Sequence, residues 1–428
     1  MQFTDFPGNS GLKEGIVRRL SLAFLLVMSL LLTSCAFAQS QSKQRRSLRI
    51  VLYPYIPEFT YAAETVKRLF EAENPNVELT ILDLSANYYS PSKDPKKPDP
   101  TYIGDAQTDV YELDSVFLAD FVNQKKIRSL PDDLLLPADQ LLKNAYAGSM
   151  LEGKRYGSAH WVCGNFLFFT KDSAPAKTPT TLRELEALMG SEAEQKLLVD
   201  MRGRLTLGEF YLGAAYAKYK DWSIVKDHIL PADESLEADL VRVLRMCPAG
   251  SCRDQIFHEL TGIYGQEFAV GRSRALIGYS ELLHSVLLEG MSDGALRVAA
   301  LPLDDAGAAP ISWVDSFAIR AGCGGDCYKD ASQFVKFMQR DDIYLRLLLP
   351  DKPSFLTNPK GPSPVPAYLL PAKASLYTNA DLLKAAHLYK DLRPIIEGAS
   401  VPTAISLNDN LRTVSSEVDA ALGKAVPN

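Results

Sequence analysis

One βαβ unit near the start constrains the fold more than any other feature. Residues 48–52 form a short apolar strand, and the loop Tyr53-Pro54-Tyr55-Ile56-Pro57-Glu58 follows, its prolines barring the strand from continuing. Residues 59–74 then read as an amphipathic helix stopped by Asn74-Pro75, and 77–82 is the next strand. Strand, loop, helix and strand together open an α/β domain. Ligands of such sheets sit beyond the C-terminal ends of the strands, which puts Tyr53 and Tyr55 at a cleft edge.

The later elements argue for two lobes. Strands are expected at 108–114, 166–169, 197–200, 274–281, 296–303 and 313–319. Helices are expected at 115–122, from 180, at 205–219, 235–246 and 259–271, from 282, and at 331–339, 342–349, 381–397 and 408–422. The stretch 90–100, rich in Pro, Lys and Asp, is a surface loop; 127–151 is loop-rich and 364–371 is a proline-bounded connector. An α/β unit, a crossing strand, a second α/β unit, a returning strand and a helical tail carry the chain between lobes more than once. The expected division is 47–160 with 312–370 as lobe 1, and 161–311 with 371–428 as lobe 2. Small ligands are buried in such interlobe clefts, and hinge closure excludes water from them.

A chain of 428 residues, 46% hydrophobic and 23% charged, has ample material for such a core. Its formal net charge of −6 argues against a nucleic-acid partner. The N-terminus is a targeting segment: Arg18-Arg19 precede an apolar run, 20–32, that is too short and too abruptly ended for a membrane span. Leu32-Thr33-Ser34-Cys35 reads as a lipobox with Cys35 lipidated; Ala36-Phe37-Ala38 before Gln39 reads as ordinary cleavage. On either reading 1–38 is a signal segment and 39–46 a polar linker. The mature protein is exported: periplasmic, secreted, or lipid-anchored to a bacterial membrane. A monomer is expected.

Export makes the six cysteines informative. Cys247 and Cys252 enclose a Pro-Ala-Gly-Ser turn, and Cys323 and Cys327 enclose Gly-Gly-Asp. Two short-loop disulfides suit an oxidising compartment, and these spacings are not those of a zinc site. Free thiols are the other reading. Cys163 is left alone, flanked by Gly157 and Gly164 and followed by the apolar run 166–169. A lone thiol there is either a small packing residue or a nucleophile on a rigid element. Glu281 ends the strand that carries Tyr279, and is either a base facing the cleft or a helix-start acid favoured by the dipole. His160 lies three residues from Cys163, an odd spacing that puts the two side chains on opposite strand faces. Asp114, Asp315, Tyr53, Tyr55, Tyr264 and Trp313 fall near strand ends or helix faces by the cleft, each otherwise an ordinary cap or core ring. Acids with aromatic rings suit a flat, cationic, nitrogen-rich ligand.

Four segments carry a family resemblance: 52–57, the stretch from Tyr156-Gly157 through Cys163-Gly164-Asn165-Phe166-Leu167-Phe168-Phe169, Gly278-Tyr279-Ser280-Glu281, and Trp313-Val314-Asp315. Through them the chain resembles the thiaminase I (thiamine pyridinylase) family over essentially its whole mature length. The resemblance implies a two-lobed, type II periplasmic-binding-protein-like α/β fold and base exchange on thiamine. Cys163 would attack the pyrimidine, the thiazole would leave, and an outside pyridine, aniline or thiol would replace it. Glu281 would activate the thiol; Asp114, Tyr279 and Asp315 match cleft residues, and Tyr53 and Tyr264 match more loosely. Trp313 stands where a tyrosine is expected, keeping stacking and losing a hydroxyl. The implied chemistry requires no metal or organic cofactor. The competing reading is a solute-binding lipoprotein for thiamine or a pyrimidine that feeds an ABC importer, with Cys163 as packing.

Overall fold

The βαβ unit forms as β1 (Arg46–Val51), the helix Phe59–Glu73 and β2 (Val77–Leu82). The helix buries Ala62, Thr65, Val66 and Phe70, a helical stripe whose Phe70 ring meets Phe334 and Phe337 edge-on. Asn74 ends it by returning both its backbone N–H and its side-chain amide to the Phe70 carbonyl. The remaining strands are β3 (Val110–Asp114), β4 (Met150–Leu151), β5 (Lys154–Arg155), β6 (Ser158–Cys163), β7 (Asn165–Thr170), β8 (Lys196–Val199), β9 (Ser273–Tyr279), β10 (Leu296–Ala300), β11 (Trp313–Ile319) and β12 (Leu370–Pro371).

The structure is a computed structural model that describes residues 45–82, 103, 107–190, 196–260, 262–349, 365–402, 405 and 410–425. The expected signal segment with Cys35, and the loop 90–100, lie outside the described residues. Ser47–Asn428 forms one compact unit. None of the described helices is long and apolar enough to cross a membrane.

Two main sheets organise the unit. The first has six strands in the order β12-β6-β11-β3-β1-β2; the second has four, β10-β7-β9-β8. β1 runs parallel to β3, whereas β11 is antiparallel to both β3 and β6. In the second sheet β7 is antiparallel to β9 and β10, and β8 is parallel to β9. The helices Arg204–Tyr219, Glu234–Arg245 and Arg412–Ala425 pack together around a core that includes Leu207, Leu240, Val414 and Val418. The helices Asp326–Met338 and Asp341–Leu348 contribute Phe334 and Tyr344 to a core shared with Trp161 and Phe317 on the first sheet.

Sheet membership changes at Gly164, between β6 and β7. This differs from the expected division at 160/161, because Trp161 to Cys163 still pair with β11. At Gly164 a Cβ would lie 3.1 Å from the Ile311 carbonyl, so the crossing segments pass within backbone contact of one another. Two expected helices are each split. Gly262, at φ 93°, separates Gln255–Glu259 from Ile263–Ala269, and the expected helix at 381–397 is Ala380–Ala385 followed by Tyr389–Glu397. The β4–β5 ribbon and the helix Trp222–Asp227 had no strong sequence signal. Cys247 with Cys252, and Cys323 with Cys327, lie at disulfide-bonding distance, leaving Cys163 as the free cysteine among the described residues.

Candidate active site

Register places the site chemistry on one face of the first sheet. Directly paired residues on neighbouring strands share a face, as do alternate residues along a strand. Cys163 pairs with Trp313, and Asp315 pairs with Trp161 on one side and Asp114 on the other. Glu112 pairs with Phe317, two residues further along the same face. One end of that face is roofed by aromatic packing: Phe317 meets Phe334 at 5.5 Å and Trp161 meets Tyr344 at 5.2 Å between ring centroids. The other end carries Asp114, Asp315 and Cys163, where β6 gives way to the second sheet.

Cys163 is therefore the last residue of β6 and lies just ahead of the buried strand β7. Its Sγ donates to Asp315 Oδ2 at 3.3 Å. Burial pushes the thiol well above its ordinary range, and the charges of Asp315, Glu281 and Asp114 push it further in the same direction. Asp315 is 1% exposed, and burial followed by the Asp114 and Glu112 charges raises its carboxyl far above the usual carboxylate range. Its second oxygen, Oδ1, is buried and has no hydrogen-bond partner among the described residues. That leaves an acceptor waiting for a donor beside a thiol.

Glu281 occupies the residue before the helix Leu282–Leu288 but makes no side-chain cap. Burial raises its carboxyl to about 7, against hydrogen bonds from its own backbone N–H and from Ser280. Asp114 does cap its helix, accepting from Val116 N at 3.0 Å, while its charge still bears on Cys163 and Asp315. Tyr53 is held by a backbone N–H···Oε2 bond to Glu112 at 2.8 Å and stands edge-on to Tyr55 at 5.7 Å. Its hydroxyl is raised first by burial, then by Cys163, Asp315, Glu281 and Tyr279, which sets it among all of them.

Tyr264 is not brought to this cluster. Its hydroxyl donates to the Ser251 carbonyl at 3.1 Å and its charged neighbours are Asp200 and Asp254. The helix Ile263–Ala269 carries it beneath the 247–252 disulfide loop, where its ring packs on Phe257.

His160 also needs correction, in its reasoning. A β-bulge on β6 pairs Asp315 with Trp161 but Ser316 with Ala159, leaving His160 as the extra residue. The rings of His160 and Trp161, adjacent in sequence, consequently lie 4.1 Å apart, tilted to one another, on the same face, so the alternation argument fails. His160 Nδ1 lies 2.5 Å from Glu112 Oε1 with both groups buried, a pairing with Glu112 rather than Cys163.

Three further residues escaped the sequence reading. Glu209, 5% exposed on the helix Arg204–Tyr219, accepts a very short hydrogen bond from the Tyr279 hydroxyl and a longer one, 3.5 Å, from Asn165 Nδ2. Burial raises its carboxyl to about 8, the Tyr279 bond opposing. An acid in the apolar run Leu207-Gly208-Glu209-Phe210-Tyr211-Leu212 was the available signal. Asn165 Oδ1 is buried without a partner among the described residues, two positions after Cys163 and paired across strands with Tyr279. Tyr377, on a short turn, has a buried hydroxyl without a partner among the described residues, and Cys163 contributes to its raised pKa. Nothing in its local sequence announced that.

The arrangement can hold a thiol against a buried carboxyl, offer unfilled acceptors to N–H groups, and surround a cationic ring with acids and aromatic side chains. Residues 164–302 match the family model of the Thiaminase-1 domain, a span that includes Glu209, Tyr279 and Glu281. Over 404 residues the chain is 25% identical to Thiaminase-1 of Paenibacillus thiaminolyticus, covering 91% of this chain and 90% of that one. Thiaminase I of Clostridium botulinum, solved in complex with thiamin, superposes with a TM-score of 0.72 at 19% identity, over 88% of this chain and 99% of that one. The acarbose-binding GacH receptor of Streptomyces glaucescens superposes at 0.60 with 15% identity, over 90% and 99%. The fold is thus the two-lobed α/β arrangement of type II periplasmic binding proteins, and in sequence and fold the chain is similar to thiaminase I over about nine-tenths of its length.

Proposed function

We propose that the protein is a thiamine-degrading base-exchange transferase, a thiamine pyridinylase. The observation that carries this reading is the free Cys163 thiol bonded to the buried Asp315, with the Glu281 carboxyl in its field. A receptor that only binds its solute gains nothing from such a thiol. Glu281, titrating near neutrality, is the base that takes the thiol proton. Asp315 holds the sulfur and offers Oδ1 to an N–H of the aminopyrimidine, with Asp114, Tyr53, Tyr55, Tyr279 and Trp313 around the ring. The Cys163 thiolate adds to the pyrimidine, and the C–N bonding pair leaves with the thiazole, converting a cationic ring to a neutral one. A pyridine, aniline or thiol then bonds the methylene carbon and Cys163 is released. The two sheets belong to lobes divided near Gly164 and in the 301–312 segment, and their closure excludes water during exchange. Export through the signal segment fits the paired cysteines.

The test is direct. Purified protein mixed with thiamine and pyridine or aniline releases thiazole, and Cys163→Ser does not. Thiamine binding without thiazole release in the wild type would assign the protein instead to solute capture.

A further inference from the structure

Late in its course the chain returns to the strand that carries Cys163. β12 pairs with β6, Leu370 against Val162 and Pro371 against Trp161, and Ala372 N–H donates to the His160 carbonyl at 2.8 Å. The short turn Ala374–Thr378 follows and carries Tyr377, 3% exposed. The helix Tyr389–Glu397 packs on this turn. Its Tyr389 ring meets Tyr377 edge-on at 5.9 Å, and the Arg393 guanidinium lies 6.0 Å from the centre of the Tyr377 ring. One turn further on, Ile396 reaches Gly164, where a Cβ would lie 3.1 Å from the Ile396 Cδ1. One face of this helix therefore runs from Tyr377 to the residue that follows Cys163.

The Tyr377 hydroxyl is buried without a hydrogen-bond partner among the described residues. A buried phenol ordinarily has one, and going without costs stability. The tyrosines around it conform: Tyr389 donates to the Leu369 carbonyl at 2.7 Å and Tyr344 to the His160 carbonyl at 3.0 Å. Burial raises Tyr377 well above its ordinary range; the Arg393 charge opposes, and Glu397 and Cys163 add to the rise. The phenol therefore keeps its proton and remains a donor.

Cys163 lacks a donor of this kind. As a thiol it gives its proton to Asp315 in a 3.3 Å hydrogen bond. As a thiolate it is an anion facing Asp315, Glu281 and Asp114, and Tyr279 commits its hydroxyl proton to Glu209. A buried anion needs donors. We propose that Tyr377 is a catalytic residue whose hydroxyl donates to the Cys163 sulfur as the thiol ionises, and again as the sulfur leaves the pyrimidine. The S–H proton passes to Glu281, the sulfur keeps the electron pair, and the phenol proton stays on its oxygen. Hydrogen bonds of this type tighten as charge develops, which is why the hydroxyl stands unpaired beside the neutral thiol. The part it plays in turnover rests on the base-exchange reading.

Tyr377→Phe removes the hydroxyl and keeps the ring. The lost group has no partner in the empty protein, so the variant is expected to melt at or above the wild-type temperature. The pH midpoint of Cys163 alkylation by iodoacetamide is expected to rise by about one unit. Single-turnover thiazole release should fall about 10- to 100-fold, the range for a hydrogen bond to a charged group. Tyr389→Phe removes a neighbouring hydroxyl bonded elsewhere; it is expected to lower the melting temperature and leave the alkylation midpoint in place. An unchanged midpoint in Tyr377→Phe, or an equal rise in Tyr389→Phe, overturns the proposal whatever happens to turnover. A wild type that releases no thiazole removes the base-exchange reading and the catalytic role with it, while a midpoint that still shifts upholds the bond to the thiolate. Thiazole release by the wild type with an unshifted midpoint keeps the reading and removes the proposal.

Discussion

Replacing Glu281 by Gln tests whether this carboxyl is a destabilised functional group. Burial raises it from an ordinary 4.5 to about 7. Each unit of such a shift corresponds to about 1.4 kcal/mol between the protonation states. The folded protein therefore binds this proton more tightly than the unfolded chain does. Stability falls as pH rises between the two values, and above about 7 the full cost is present, about 3 kcal/mol. Gln is neutral at every pH, so Glu281→Gln should match the wild type near pH 4 and exceed it by about 3 kcal/mol at pH 8. In thermal melts that is a gain of roughly 5 °C at pH 8. Turnover should move the other way, thiazole release falling by about 10²- to 10⁴-fold as the base is lost. The wild-type kcat/KM profile should rise through about pH 7 as Glu281 ionises, and that limb should be missing in the variant. Melting that is unchanged or lower at pH 8, or an acid limb that survives the substitution, would refute the assignment.

Three further outcomes follow from the same geometry. Cys163→Ser should bind thiamine, measured by calorimetry, while its thiazole release falls by more than about 10³-fold. Asp315→Asn should separate nucleophile ionisation from catalysis: it removes the hydrogen bond to the thiol and the charge that Asp315 would carry on ionising, both of which raise the Cys163 pKa, so the pH at which iodoacetamide alkylates Cys163 moves down. Thiazole release should meanwhile fall about 10- to 100-fold with loss of the carboxyl that faces the thiol and the aminopyrimidine. Breaking the buried His160–Glu112 pair by His160→Gln or Glu112→Gln should each cost about 3–5 kcal/mol in urea unfolding, and the double variant should cost less than the sum.

The βαβ opening was legible because its signals are local: prolines end the strand, a stripe of apolar residues marks the helix, and Asn74-Pro75 closes it. The lone thiol was legible for a different reason, since pairing four of the cysteines isolates Cys163. His160 was misjudged because a bulge is a property of two paired strands, and one extra residue on β6 reverses the alternation that a single strand implies. Tyr264 misled because a tyrosine on a helix behind the second sheet looks, in sequence, like one facing a cleft. Glu209 was invisible because an acid at one helix position is ordinarily solvated, and only the fold buries it and brings Tyr279 and Asn165 within hydrogen-bond reach. The domain division shifted for a similar reason, as pairing with β11 holds β6 in the first sheet up to Cys163.

The acids around Cys163 share a property that bears on how the reaction is kept from running without substrate. Asp114 raises Asp315, Asp315 and Glu281 raise Cys163, and Asp114 and Glu281 raise Glu209. Each member makes ionisation of the next more costly, and the largest charges acting on Cys163 are those of acids. His160, the basic side chain on this face, is hydrogen-bonded to Glu112. An empty site of this composition holds its protons, and its thiol is a poor nucleophile. A ligand carrying a permanent positive charge supplies the counter-ion that the fold omits, lowering the pKa of every acid around it and of the thiol together. On the base-exchange reading the substrate therefore helps generate the thiolate that attacks it, and loses its charge when the thiazole departs. Alkylation of Cys163 in the wild type should accordingly be slow below pH 9 in the empty protein. It should be faster when a small quaternary ammonium ion, too short to cover the sulfur, occupies the acidic end of the sheet. If that cation leaves the rate unchanged, the thiol is governed by burial alone and substrate charge has no part in activating it.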